Sequence, residues 1–556
     1  MAHIEASSMR RPADRLICSL RLGALVEFLK TDAAARYRSS DGLPGSLKQD
    51  DVAVPRTLFW PLVVAIFAAA IFLRMFHLDY LSLWGDELFS RYYYDLFGPA
   101  YLVTGGLTVE PTPPLYYFML ETWMKMFGHT AIALRSLSVV ASLIALPLVY
   151  AVAREFSTRA VALVAMAFFA LSPMAVYYSQ EARVYMMTVI LASLMLLGIA
   201  RYLRCAHKAD LVMYGIAAVI ALYSHATMLF LVAGCNIVVL GYLLLTPLSE
   251  RWAATRNWLF VNVVVALLGV PLFLAMLSIG NHGTGLSWIA PLALRDVLVT
   301  MTGLIIGTIA PFRLPGVELA GLSAIVVGVA IVMAGMSRRA VAVLIGIPAV
   351  FFALVVIASL RQPILLTRIL CWMTVPLCVL LAYAVVVPSR ARVAARVIVT
   401  LTFAVGLFYQ IARADGAKPP YREVLEEARM NLLQADEVVI SPYTSPLLWT
   451  YYLPGLANVR KWSDPSVSGI EANELADRLH IPSMSEQELR DDIKSGKAVW
   501  LLASSSDEKF VSQLFAGVPA PSGRYVSMCN VVTHNGKTPP PCVAAYGWNL
   551  HSRAEK

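Results

Sequence analysis

The feature that most constrains the fold is an apolar run of roughly 20 residues that recurs through the middle of the chain, each copy long enough to cross a bilayer's hydrocarbon. Only a helix satisfies its own backbone polar groups in that medium, so a chain built of such runs is a polytopic α-helical membrane protein. Composition agrees: 58% of the 556 residues are apolar and 15% charged, and mean hydropathy is +0.66. A soluble chain of this length needs far more polar surface. The net charge of +9 reads as arginine placed in loops, not as a nucleic-acid footprint.

Three parts follow. Residues 1–57 are polar and basic. Within them RLICSLRLGALVEFLK (15–30) carries apolar residues at helical spacing, which suits either a helix lying on the inner membrane surface or a poorly ordered leader. Residues 58–411 hold the spans, near 58–76, 131–152, 160–178, 184–202, 211–224, 226–245, 257–279, 317–336, 340–360, 369–388 and 393–411. Basic residues fill alternate connections: Arg154 and Arg159; Arg201, Arg204 and Lys208; Arg251 and Arg256; Arg338 and Arg339; Arg390, Arg392 and Arg396. With those loops cytoplasmic, the 77–130 loop and everything after 412 lie outside. DVLVTMTGLIIGTIAPF (296–312) is short and glycine-rich, and counting it as a span would reverse every later loop. It is therefore expected to be re-entrant or interfacial, giving eleven spans, with twelve or thirteen as the alternative.

Residues 412–556 change character. PYREVLEEARMNLL (420–433) is an amphipathic helix opened by proline, DEVVIS (436–441) and KAVWLLAS (497–504) are short strands, and EKFVSQLF (508–515) is helical in pattern. Such alternation predicts a soluble α/β domain. Cys529 and Cys542 flank a turn-rich stretch within it, and the other five cysteines fall in spans or on the cytoplasmic side. Outside the cytoplasm that pair is expected to form a disulfide, with two free thiols as the plainer alternative.

The chemistry gathers on the outer face. LSLWGDELFS (81–90) sets Asp86 and Glu87 in the first outer loop. EPTPPLYYFMLETWMKMFG (110–128), in the same loop, has the pattern of a helix lying at the interface, which would hold the acidic pair at headgroup height. Other outer connections supply Glu181 and Arg183, His225, Arg361 and Arg368, and Arg135 opens the second span. Guanidinium forks suit phosphate, and a carboxylate suits removal of a hydroxyl proton. Together, at a site open to lipid, they point to group transfer from a membrane-bound phosphate ester.

WGDELFS, TPPLYYFMLETWMKMFG, ALRSLS and SPMAVYYSQEARVYM, in this order over about residues 60–245, resemble the polytopic glycosyltransferases of the protein O-mannosyltransferase and aminoarabinose-transferase superfamily. PILLTRILCWMTVP (363–376) and PPYREVLEEA extend the resemblance more thinly. It implies the GT-C fold and a polyprenyl-phosphate-linked sugar donor. It further implies Asp86 as general base with Glu87 beside it in the acceptor site. Arg135, Glu181, Arg183, His225 and Arg368, with Arg361 nearby, would then serve the donor phosphate and substrate. The implied reaction is one inverting displacement that requires no metal, although adjacent carboxylates can also hold a divalent cation. The place implied is a bacterial inner membrane, with the N-terminus cytoplasmic and the C-terminal domain periplasmic. The acceptor would be a lipid A or other glycolipid, a polysaccharide or a protein. Two departures stand out: Thr112 replaces a histidine that often precedes the double proline, and Ile369 replaces a tyrosine that often follows the late arginine.

The same residues have plainer roles. Asp86 can cap the helix that starts beside it, Glu181 and Arg183 can lock two helix ends as an ion pair, and Arg135, Arg361 and Arg368 can anchor spans at headgroups. Tyr116, Tyr117, Tyr177 and Tyr178 read first as an aromatic belt. Two other classes compete. A secondary transporter or flippase should show two related halves and charges at mid-membrane. A non-catalytic polysaccharide-assembly scaffold would use the outer domain to bind a partner.

Overall fold

The computed structural model describes residues 54–104, 112–246, 248–279, 289, 291–306, 336–386, scattered positions from 393 to 411, 418–464, 475–504, 507–528 and 541–550. The expected spans at 317–336 and 393–411, the 15–30 segment and the side chains of Cys529 and Cys542 lie outside these residues or are covered only in part. Among the described residues six helices are long and apolar enough to cross a membrane, or seven if one bent pair counts as a single span. The protein is a multi-pass helical membrane protein that carries a small sheet domain at its C-terminus.

Helix α1 (Arg56–Met75) leads into α2 (Gly85–Thr104) and α3 (Leu115–Phe127), followed by α4 (Ala131–Arg154). Next come α5 (Arg159–Leu171), α6 (Pro173–Ser179), α7 (Tyr185–Cys205), α8 (Lys208–Leu222), α9 (Met228–Leu244) and α10 (Leu248–Ile279). Helix α1 turns Leu58, Leu62, Val64 and Phe72 outward, as a lipid-facing helix should. Helix α7 is the buried axis of the bundle, packed by α4 and α8. Gly198 permits the α8 contact, because a Cβ there would come 2.7 Å from the Asp210 carbonyl oxygen.

The span expected at 160–178 is broken. Ser172 ends α5 and caps α6 by accepting from the Ala175 N–H, Pro173 opens the new helix, and the two axes differ by 53°. The break leaves the Ala170 carbonyl to Arg74, whose guanidinium donates to it (2.9 Å) and to Phe169 O (3.3 Å), which also accepts from Ser172 N, while its Nε donates to Ser142 Oγ (2.8 Å). Helix α10 begins nine residues before the expected 257, so Arg251 and Arg256 sit on its first turns and not in a loop.

Helix α11 (Leu294–Ile306) comprises thirteen described residues. It lies against α6 and the 3₁₀ turn that opens α13 (Thr367–Val386), following α12 (Arg338–Ser359). Contact is close at Gly303, where a Cβ would come 2.7 Å from Thr367 Cγ2. At the far end of α4 and α7, Glu155 joins Arg201 Nε (3.1 Å) and Arg204 Nη1 (3.2 Å), and its carbonyl accepts from Arg339.

Beyond the bundle, α14 (Tyr421–Leu433) precedes a six-stranded sheet of order β3-β2-β1-β4-β6-β5. Strands β1 (Glu437–Ile440), β2 (Val459–Trp462), β3 (Ser483–Met484) and β4 (Val499–Ser504) run parallel, while β5 (Gly523–Met528) and β6 (Pro541–Trp548) close the edge antiparallel. Val439, Trp462, Leu501 and Trp548 fill its core. Lys461 is buried under the turn after β1, where its ammonium donates to Ser441 O, Pro442 O and Thr444 O, and burial lowers it to about 7. Helix α15 (Leu447–Tyr452) of this domain packs on α2 of the bundle.

Candidate active site

The site forms where the segment 78–84 enters α2. That segment has no regular structure, yet every carbonyl from 78 to 83 meets a side-chain donor. Arg135 donates to Leu78 O (2.7 Å), Leu81 O (2.9 Å) and Ser82 O (3.1 Å). Arg422 donates to Asp79 O (3.0 Å) and Tyr80 O (2.7 Å). The Tyr452 hydroxyl donates to Leu83 O (3.1 Å) and accepts from Leu83 N (2.6 Å). Ser82 Oγ donates to Glu423 (2.8 Å). The carbonyls of this loop are thus fixed from both sides, by the bundle through Arg135 and by the C-terminal domain through Arg422 and Tyr452, with Glu423 holding the Ser82 hydroxyl.

Asp86 and Glu87 then part company, as neighbours about 100° apart around a helix must. Glu87 is fully buried. Its oxygens accept from Arg135 Nε (2.8 Å) and Nη2 (2.9 Å), from Ala182 N (3.0 Å) and from Lys418 Nζ (2.8 Å). Burial alone would raise this carboxyl, but Arg135 and Lys418 against it bring it down to about 2. With its two bonds to Glu87 and three to carbonyls, Arg135 has committed all five N–H donors to protein. It positions the loop and the helix start, and keeps no donor for a phosphate, unlike the part the family resemblance implies.

Asp86 faces the other way. Its carboxylate is 31% exposed, against 0% for Glu87 and 2% for Glu181, so it is the one carboxylate of the three that a substrate can reach. Arg368 Nη1 donates to Asp86 Oδ2 at 2.8 Å. Arg183 Nη1 reaches the Asp86 carbonyl (3.3 Å), Ser90 Oγ (3.2 Å) and the Tyr117 hydroxyl (3.4 Å). Glu181 does not pair with Arg183: its cation is Lys418, at 3.5 Å. Burial lifts the Glu181 carboxyl above the usual range despite that ammonium.

His225 sits in the turn between α8 and α9, beside Tyr185 at 6.1 Å between ring centroids. Thr227 N donates to its Nδ1 (3.2 Å), and the Thr227 hydroxyl lies 2.8 Å from the same nitrogen. A ring nitrogen that accepts from a backbone amide carries no proton, so the ring is neutral with its proton on Nε2. Burial, aided by Arg183 and Arg368, lowers His225 to about 3.

Asp86, Glu87, Arg135, Glu181, Arg183, His225 and Arg368 therefore converge through direct contacts or one shared neighbour. Arg361 does not join them: it is exposed at the turn after α12, with its N–H on Ala358 O. Tyr116, Tyr117 and Tyr178 are buried packing residues and not a lipid-facing belt. Two features escaped the sequence. Lys418 stands alone before a double proline, with nothing local to mark it as a partner of residues far earlier in the chain. The clamp on 78–83 is made by backbone carbonyls, which every sequence has.

The fold is that of a polytopic membrane protein of the GT-C type. Residues 111–275 match the family model described as dolichyl-phosphate-mannose-protein mannosyltransferase. The fold is similar to that of ArnT from Cupriavidus metallidurans in its crystal structure bound to undecaprenyl phosphate, with a TM-score of 0.53 at 13% identity over 90% of this chain and 99% of that one. The apo crystal structure of the same protein gives 0.51 at 13% identity over 88% and 97%. No curated protein matches the sequence.

Proposed function

We propose that this protein is an inverting glycosyltransferase that moves a monosaccharide from a polyprenyl-phosphate donor to an acceptor hydroxyl at a membrane surface. One observation carries the reading: the accessible carboxylate of Asp86 lies 2.8 Å from Arg368, and Arg183 donates to the main-chain carbonyl of the same residue, so a base and two guanidinium cations meet at one point. The family match over 111–275 and the ArnT-like fold support it.

In the reaction the acceptor O–H gives its proton to Asp86 as its oxygen attacks the anomeric carbon. The bond from that carbon to the phosphate oxygen breaks, and its electron pair leaves on the lipid phosphate. Arg368 and Arg183 hold the growing negative charge, and His225 contributes a neutral Nε2–H donor. Glu87 and Arg135 keep the helix start in place. The scheme uses no metal; Glu87, whose oxygens already serve Arg135, Ala182 and Lys418, is badly placed to share a cation with Asp86. Basic residues gathered at the end opposite the site orient that end to the cytoplasm. The site then faces the outer side of a bacterial inner membrane, with the sheet domain periplasmic. A glycolipid such as lipid A, a polysaccharide or a protein can supply the hydroxyl.

The test is Asp86→Asn. Mass spectrometry of envelope lipids and glycans from cells with and without the gene identifies the product. D86N should fail to restore it, with transfer reduced by at least about a hundredfold. The purified variant in nanodiscs should still bind undecaprenyl phosphate and melt as the parent does. A D86N protein that transfers sugar normally overturns the assignment.

A further inference from the structure

The cluster contains three carboxylates and four cations, and one of the cations belongs to neither the bundle nor the loop. Lys418 lies between the spans and the sheet domain, two residues before the turn into α14. Its side chain is 3% exposed, and its ammonium lies 2.8 Å from Glu87 Oε2 and 3.5 Å from Glu181 Oε1. Glu87 keeps Arg135 whatever Lys418 does. For Glu181, 2% exposed, Lys418 is the cation within ion-pair distance among the described contacts. The residues that follow Lys418 continue onto the loop: Arg422 holds carbonyls 79 and 80, and Glu423 accepts from Ser82.

From this arrangement we infer that Lys418 is a positioning residue. By bridging Glu87 and Glu181, its ammonium locks the chain's entry into the sheet domain onto α2, and it offsets a buried anion that would otherwise repel the lipid phosphate. The inference rests on the glycosyltransferase reading for its ligand but not for its geometry. A buried carboxylate deprived of its cation is the strongly unfavourable case, whereas removal of both members of a pair is far milder. The effect of Lys418 must therefore depend on Glu181.

The experiment is a double-mutant cycle on the full chain in nanodiscs, with undecaprenyl phosphate as the probe and hydrogen exchange of residues 78–90 as a second readout. K418M should weaken binding about tenfold and speed exchange across 78–90, K418R should stay within about threefold of the parent, and K418M/E181Q should recover most of the loss. If K418M does not fold, K418M/E181Q should. A packing role gives multiplying losses and no rescue by the charge-removing partner, and that result overturns the inference, as does a K418M protein with parental binding and exchange. A parent protein that binds no undecaprenyl phosphate counts against the functional reading instead, and the exchange data still decide the role of Lys418.

Discussion

Two adjacent carboxylates do different work here. Glu87 is sealed against Arg135 and Lys418, so Glu87→Gln leaves two buried cations underpaired and should cost about 3–5 kcal/mol. Asp86 shares a partly exposed pair with Arg368, a type worth about 0.2–1 kcal/mol. Thermal melts in one nanodisc preparation should show E87Q greatly destabilised and D86N nearly unchanged; equal shifts would remove the distinction between a structural and a reactive acid. His225 makes a separate prediction. Burial lowers it from 6.5 to about 3. The unfolded chain then binds the extra proton between those values, and stability contributed by the neutral ring is present above pH 6.5 and lost as pH falls toward 3. His225→Gln should flatten that part of the stability profile, and a His225 proton that titrates near 6.5 by NMR would contradict the half-buried, Nδ1-accepting geometry. The sequence made Asp86, Glu87, Arg183 and Arg368 visible through their charge in outer loops. It could not say which of the acidic pair stays exposed, because that depends on where Arg135 approaches from.

At the level of elements, the break between α5 and α6 governs the site's floor, since Gln180 and Glu181 leave α6 directly into it. Gln180 Nε2 ties α6 to the end of α1 through Leu73 O (3.2 Å), Arg74 O (3.3 Å) and Phe76 O (2.8 Å), while Arg74 ties α1 back to the end of α5. Arg74→Leu keeps the apolar stem but strands the carbonyl of Ala170, since that of Phe169 still accepts from Ser172 N. At about 1–3 kcal/mol for an unsatisfied buried group, the variant should melt markedly lower than the parent. An unchanged melting temperature would mean that the bend needs no cation. Spans were legible wherever an apolar run stood between charged loops, as in α1, α4 and α7. The break was not, because Ser172–Pro173 sits inside an unbroken apolar run and hydropathy averages across it. Short strands of the sheet domain were legible for the opposite reason: β1 and β4 are apolar islands in a polar stretch.

The molecule as a whole is organised by the segment 78–83, which touches both of its large parts. The bundle supplies Arg135 from below and the sheet domain supplies Arg422 and Tyr452 from above, so the placement of Asp86 depends on how the two meet. No periodicity announces this, since the acceptors are main-chain carbonyls and the sheet domain's donors lie more than 300 residues away in sequence. A domain that merely docked an acceptor would leave the loop alone. The R422A/Y452F double variant separates these cases: it frees carbonyls 79, 80 and 83 without touching the domain's own core of Val439, Trp462, Leu501 and Trp548. Those hydrogen bonds are partly solvent-exposed, so water replaces them and the cost in stability is small. The cost in geometry is not, since an ångström of misplacement at a reacting group can lower rate about a hundredfold. Product formation should therefore drop about tenfold or more while the melting curve and undecaprenyl phosphate binding stay close to parental. A variant that forms product at the parental rate would return the sheet domain to the role of an independent module.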